Sequence, residues 1–173
     1  MEFISAAICG HFRNWQVFQA ARQVLFYHPF RNEVDLRPLA IDFPDKHWYL
    51  PVLEAADYLA FYRYDPAHPM KSGKYGIWEP HGNASSLGML APDDLLIAPG
   101  LLFDCLGYRL GYGKGYFDKY LHRLKAQGAL CRLAGVAPDA LLIDRLPSDE
   151  WDIPMEFVLS ETGLTRAQQK PFQ

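Results

Sequence analysis

Leu95-Leu96-Ile97-Ala98 runs unbroken and apolar into Pro99-Gly100, and further on Arg109-Leu-Gly-Tyr-Gly-Lys-Gly-Tyr-Phe-Asp118 places glycines at 111, 113 and 115. The first stretch has the pattern of a short strand buried on both faces. The second leads directly into Tyr116–Gln127, where apolar residues recur at helical spacing and Gly128 suits a C-cap. Strand, glycine-rich connection and helix in that order form the unit of an α/β sheet domain.

Working outward, Ile4, Ala7, Ile8, Phe12, Trp15, Phe18, Ala21 and Leu25 fall at steps of three and four. That period predicts one amphipathic helix over Ile4–Phe26, ended by Tyr27-His28-Pro29. A short helix is expected over Arg37–Phe43, and strands over His47–Leu53 and Asp57–Tyr64. Residues 65–93 carry prolines 66, 69, 80 and 92 and glycines 73, 76, 82 and 88. A connection that long reads as a binding loop. Leu133–Ala137 and Phe157–Leu159 complete the expected strands. Residues 1–163 should form a single domain, with 164–173 a polar, loosely held tail.

Composition narrows the function classes. Half of the 173 residues are hydrophobic, enough for a sizeable core and too many for a disordered chain. The net charge is −3 without a basic cluster, which argues against a nucleic-acid or anionic-membrane binder. Cys9, Cys105 and Cys131 cannot build a disulfide framework, so reduced thiols are expected. No apolar run approaches the roughly 18 residues of a membrane helix. Met1-Glu2 opens without the basic region of a secretory signal. A soluble, cytoplasmic protein is the expectation.

The glycine loop holds the most chemistry. Its glycines allow close backbone approach and positive φ, and the following helix has no Ser, Thr, Asp or Asn at its expected N-cap. The first amides are therefore free to bind an anion, with Arg109 and Lys114 as adjacent cations. The loop is neither GxxxxGKS/T nor GxGxxG. On spacing alone it fits a phosphate cradle and a plain strand-to-helix turn equally well. Asp118, in the first turn, either complements the helix dipole, worth about 0.3–1 kcal/mol, or serves as an oxygen ligand for Mg²⁺. Asp152, before Ile153-Pro154, has a plain reading as a turn acid. The six histidines show no HExxH or other short ligand spacing, and there is no GxSxG elbow. Cys105 reads as a buried structural thiol.

Taken together, Asp94-Leu-Leu-Ile-Ala-Pro-Gly-Leu-Leu-Phe-Asp104 and Gly107-Tyr-Arg-Leu-Gly-Tyr-Gly-Lys-Gly-Tyr-Phe-Asp118 resemble the signature of the 5-formyltetrahydrofolate cyclo-ligases, also called 5,10-methenyltetrahydrofolate synthetases. Tyr27-His-Pro29 with Glu33-Val-Asp35, Leu50-Pro51, Gly76-Ile-Trp-Glu-Pro80 and Asp152 fall in the family's order, so the likeness covers nearly the whole chain. The resemblance implies a three-layer α-β-α fold with a mostly parallel central sheet, similar to sugar-phosphate isomerases. It implies ATP- and Mg²⁺-dependent cyclisation of 5-formyltetrahydrofolate to 5,10-methenyltetrahydrofolate, by a monomer acting on small molecules. Arg109, Leu110, Gly111, Tyr112, Gly113, Lys114, Gly115, Tyr116 and Phe117 would bind ATP, with Arg109, Lys114 and Tyr116 catalytic. Glu33, Gly115 and Tyr116 would face the folate, and Asp118 and Asp152 would be the Mg²⁺ carboxylates. Trp78 and Tyr62 are candidate apolar walls.

Some positions depart from the family pattern. Leu36, Leu59 and Phe117 stand where Thr, Met and a second Tyr are usual. Members usually begin with an extra helix carrying a Lys and an Arg four residues apart, whereas Ser5–Tyr27 matches the family's second helix and Arg13 and Arg22 do not fill those positions. This leaves a second reading, a folate-binding protein without ATP-dependent catalysis. A third, a sugar-phosphate isomerase, needs an acid/base pair near the loop that the sequence does not offer.

Overall fold

The computed structural model describes residues 1–81, 84–129 and 131–168. The chain begins with α1 (Glu2–Asn14) and α2 (Gln16–Ala20), followed by strand β1 (Gln23–Leu25). The single helix expected over Ile4–Phe26 is thus two helices and a strand. Trp15 leaves helical geometry at φ −90° and ψ 119°, and its indole packs edge-on against Phe157 with centroids 4.8 Å apart. Val24, Leu25 and Phe26 are all fully buried. Three consecutive buried side chains suit a strand covered on both faces and not one stripe of a helix. Lys46 closes the end of α2, its Nζ donating to the Gln19 and Ala21 carbonyls at 2.9 and 2.7 Å.

Next come α3 (Arg37–Asp42), β2 (His47–Leu53) and β3 (Leu59–Tyr64), as the pattern predicts. The stretch expected to be one long loop contains a hairpin, β4 (Met70–Ser72) and β5 (Trp78–Pro80). The remaining elements are β6 (Leu95–Pro99), β7 (Leu102–Asp104), β8 (Arg109–Leu110), α4 (Tyr116–Ala126), β9 (Arg132–Val136), β10 (Leu142–Ile143), β11 (Phe157–Ser160) and β12 (Gly163–Arg166).

Seven strands form the main sheet in the order β12-β11-β9-β6-β1-β2-β3. The five inner strands are parallel and the two edges antiparallel. Side chains alternate between two apolar layers. Val24, Phe26, Ile97 and Val136 pack beneath Ile8, Phe12, Phe18 and Leu39 of the first three helices. Leu25, Leu96, Ala98 and Phe103 pack with Tyr120 and Leu121 of α4 on the other side. The expected α-β-α arrangement is therefore present. The tail reading needs correction, because β12 pairs with β11 along its whole length and Ala167 is buried, its amide donating to the Glu156 carbonyl at 3.0 Å. Pairing removes an otherwise open sheet edge. Residues 169–173 lie outside those described.

The chain passes from β1 to β2 on one side and returns to β6 on the other. The crevice at the carboxyl ends of β1 and β6 is thus the topological switch point, where open α/β sheets bind ligands.

Candidate functional site

Two buried aspartates organise the approach to the glycine loop. Asp94 accepts from the Gln23 amide at 2.9 Å, from Gln23 Nε2 at 2.8 Å and from the Ala91 amide at 2.7 Å, which locks β1 beside β6. Asp104 accepts from the amides of Leu106, Tyr108 and Leu146 at 2.9–3.0 Å. Gly107, at φ 85°, sits where an added Cβ would lie 2.1 Å from the Met155 carbonyl oxygen. Its own carbonyl accepts from the Met155 amide at 2.8 Å. These contacts dock the segment bearing Asp152 against the start of the loop. Asp94 and Asp104 are thus structural, satisfying buried amides.

β8 then delivers the loop to α4. Gly113 and Gly115 hold φ of 79° and 66°, and Gly115 is the N-cap with no side-chain cap hydrogen bond. No protein acceptor takes the amides of residues 111–118 among the described residues, and the helix's first closing bond runs from the Lys119 amide to the Gly115 carbonyl at 3.0 Å. Open amides at the positive end of a helix form an anion site. Lys114 is exposed on the same loop.

Arg109 stands beneath it. Its side chain is 6% exposed, and Nη2 donates to Asp118 Oδ1 at 2.6 Å. The guanidinium lies 5.5 Å from the Phe117 ring centroid, and buried Nε has no acceptor among the described residues. Burial pulls the Arg109 pKa below its ordinary value, against the opposing charges of Asp118 and Asp152. Both expected metal carboxylates therefore act on one guanidinium. Among the described residues Asp118 keeps one oxygen uncommitted, and Asp152 engages only Oδ2, with the Asp149 amide at 2.8 Å. Hard oxygens near open helix amides are the donor type that fits Mg²⁺.

Glu33 lies at the switch point. A cavity of about 240 Å³ is lined by Tyr27, Glu33, Pro99, Leu101, Tyr112 and Val136, among others. Glu33 Oε2 accepts from the Phe30 amide at 2.9 Å. Burial raises the Glu33 pKa, opposed by hydrogen bonds from that amide and from the Tyr112 hydroxyl. Tyr112 also meets Phe30 edge-on at 6.2 Å, so one side chain joins the loop to the cavity. A larger cavity of about 490 Å³ lies between β3 and the hairpin, lined by Arg63, His68, Met70 and His81. No residue of the glycine loop borders it, and we place the site at the smaller one.

Trp78 is 49% exposed and Tyr62 bonds Glu54, and neither lines the Glu33 cavity. Cys105, expected to be buried, is exposed, because it lies in the turn after β7, with its thiol donating to the Asp144 carbonyl at 3.1 Å, while burial pushes the Cys9 and Cys131 thiols up to about 11 and about 12. Among the described residues no three His, Cys, Asp or Glu side chains form a metal cluster, and no helix is long and apolar enough to cross a membrane. Sequence reasoning missed Tyr75, whose hydroxyl lies 3.2 Å from that of Tyr116. Its positive φ leaves no mark in the amino-acid pattern.

The sequence profile of the 5-formyltetrahydrofolate cyclo-ligase family matches residues 4–161. The 5-formyltetrahydrofolate cyclo-ligase of Haemophilus influenzae is 32% identical over 88% of this chain and 83% of its own. That of Escherichia coli K12 is 34% identical over 81% and 78%. The solved structure of Aquifex aeolicus 5,10-methenyltetrahydrofolate synthetase superposes with a TM-score of 0.78 at 32% identity, covering 98% of this chain and 84% of that one. The Mycoplasma pneumoniae 5,10-methenyltetrahydrofolate synthetase shares the fold, with a TM-score of 0.66 at 20% identity over 92% of this chain and 86% of that one. By its signature, its layered sheet and its relatives, the chain belongs to the 5-formyltetrahydrofolate cyclo-ligase family.

Proposed function

We propose that the chain closes the ring of 5-formyltetrahydrofolate with ATP, giving 5,10-methenyltetrahydrofolate, ADP and phosphate. The observation that carries this reading is the adjacency of an uncapped glycine loop, the Arg109–Asp118 pair and the Glu33 cavity, joined through Tyr112. The formyl oxygen attacks the γ-phosphorus and the bridging oxygen leaves with ADP. N10 then adds to the activated formyl carbon and loses its proton, and the carbon–oxygen bond breaks to release phosphate. Phosphoryl transfer depends mainly on positioning and charge neutralisation, so neither a covalent nucleophile nor a strong base is required.

In this reading the amides of residues 111–118 and Lys114 hold the phosphates. Arg109 steers the Asp118 carboxylate and adds a buried positive charge beneath them. Glu33 accepts hydrogen bonds from the donor edge of the pterin ring, while Gly115 and Tyr116 form the surface shared by nucleotide and folate. Asp118 and Asp152 would hold Mg²⁺, which would supply charge neutralisation to the triphosphate. The enzyme works as a cytoplasmic monomer.

Purified protein with 5-formyltetrahydrofolate and Mg-ATP should develop methenyl absorbance with equimolar ADP. A flat trace where the Haemophilus influenzae relative reacts overturns the proposal. Calorimetry showing folate binding without nucleotide binding would then favour the non-catalytic folate binder.

A further inference from the structure

Three non-glycine residues outside the cavity hold left-handed backbone and converge on one phenol. Tyr75, at the tip of the β4–β5 hairpin, has φ 63°, and Ala56 and Asp57, in the turn between β2 and β3, have φ 57° and 59°. Such conformations are unfavourable for residues with a Cβ and persist where the surroundings over-determine them. Burial does not compensate here, since Tyr75 remains 52% exposed. What the two turns gain is each other and Tyr116. The Tyr75 and Tyr116 hydroxyls are 3.2 Å apart. Lys74 Nζ donates to Asp57 Oδ1 at 2.6 Å and lies 5.5 Å from the Tyr75 ring centroid. Asp57 is held below the usual carboxylate range, first by Lys74, with the Tyr116 hydroxyl and Lys119 contributing.

Tyr116 is the first residue of α4, beside the open amides of the glycine loop. Its ring is partly buried against the apolar layer beneath α4, and its hydroxyl meets that of Tyr75 at the hairpin. With its hydroxyl tied to the hairpin, it is held to one side as a wall. We propose that Tyr75, backed by the Asp57–Lys74 ion pair, is a positioning residue that fixes the Tyr116 ring at the rim of the nucleotide and folate site. The proposal rests on the reading that Tyr116 faces the substrates, and the two can fail separately.

The test is a double-mutant cycle in the full chain, read by methenyl formation. Tyr75→Phe and Tyr116→Phe should each lower kcat/KM about three- to tenfold, the worth of one hydrogen bond. The double variant should be no worse than Tyr116→Phe alone, because the two hydroxyls act as a unit. Tyr75→Gly, which relaxes the backbone while losing the hydroxyl, should show at least the kinetic loss of Tyr75→Phe with the melting temperature preserved. Both Phe variants should keep the parent's melting temperature, so that the loss lies in kcat/KM and not in folding. If Tyr116→Phe is impaired while Tyr75→Phe matches the parent, or if the two losses multiply, the positioning role is overturned and the reading of Tyr116 stands. If Tyr116→Phe is unimpaired, both fall.

Discussion

Arg109 and Asp118 bind each other across the glycine loop, and the exposure of each decides what breaking the pair costs. The Arg109 side chain is 6% exposed and that of Asp118 is 42%. A pair open to water on one side is screened, so Asp118→Asn, which can still accept from the guanidinium, should cost only about 1 kcal/mol in urea unfolding. Turnover should fall at least about 100-fold, because the proposed function places that charge against the triphosphate and its metal. Equal losses in stability and activity would show the carboxylate to be structural. Glu33 gives a prediction with a sign. Its folded pKa is raised above the ordinary 4.5 by burial, so the folded state keeps this proton to higher pH than the unfolded chain does. Its contribution to stability is therefore largest at low pH and fades as pH rises from 4.5 through the raised value. In the proposed function folate binding runs the other way, because there the pterin donors need an ionised acceptor at Glu33. KM for the folate should climb as pH falls through the raised pKa in the parent and stay flat, and high, in Glu33→Gln. A parallel pH profile in that variant would remove Glu33 from the folate contact.

At the scale of elements, two glycines separate function from packing. A Cβ on Gly113 would meet nothing within 4 Å, so Gly113→Ala costs only its positive φ, about 1–2 kcal/mol. Its amide would turn away from the cradle, and activity should fall further than stability. A Cβ on Gly135 would lie 2.1 Å from the fully buried Phe103 ring. Gly135→Ala should destabilise by about 3 kcal/mol and lower activity only through loss of folded protein, as measured by denaturation alongside specific activity. The same elements show what was legible in the sequence. β6 was readable because both its faces are buried, which leaves an apolar run that nothing else explains. The helix after the glycines was readable from its period. β1 was not, because Val24 and Leu25 continue the helical spacing of the preceding segment, and their strand identity comes from Asp94 and from neighbours distant in sequence. The hairpin escaped notice because its turn is made by Tyr75 and Gly76 in left-handed geometry, where a tyrosine gives no turn signal. In the candidate site, the glycines and Asp118 offer their chemistry through type and spacing, whereas Glu33 stands out only through the family resemblance. The burial of Arg109 and the clasp on Tyr116 depend on elements brought together only by folding.

Across the whole molecule, the parallel sheet sets both the site and its weakest border. Chain reversal between β1 and β6 opens the crevice that the Glu33 cavity occupies, and α4 brings its positive end to the same rim. Everything on the far side of β9 depends on β11 being held in the sheet. β11 is buried along all four residues, and β12 covers its outer edge. The tie continues beyond the strand, with Glu156 bonded to the Ala167 amide and facing Arg166 at 3.7 Å, and with the Gln168 amide donating to the Cys105 carbonyl at 3.0 Å. A chain ending at Thr162 keeps every candidate site residue but bares the edge of β11, whose Phe157, Val158 and Leu159 are buried in the two cores. An open apolar edge recruits other chains. The truncated protein should therefore elute as oligomers or aggregate in size exclusion with light scattering, with a lower melting temperature and low specific activity. A monomeric, fully active product would mean that β12 is dispensable and that the domain ends at residue 163, as composition alone suggests.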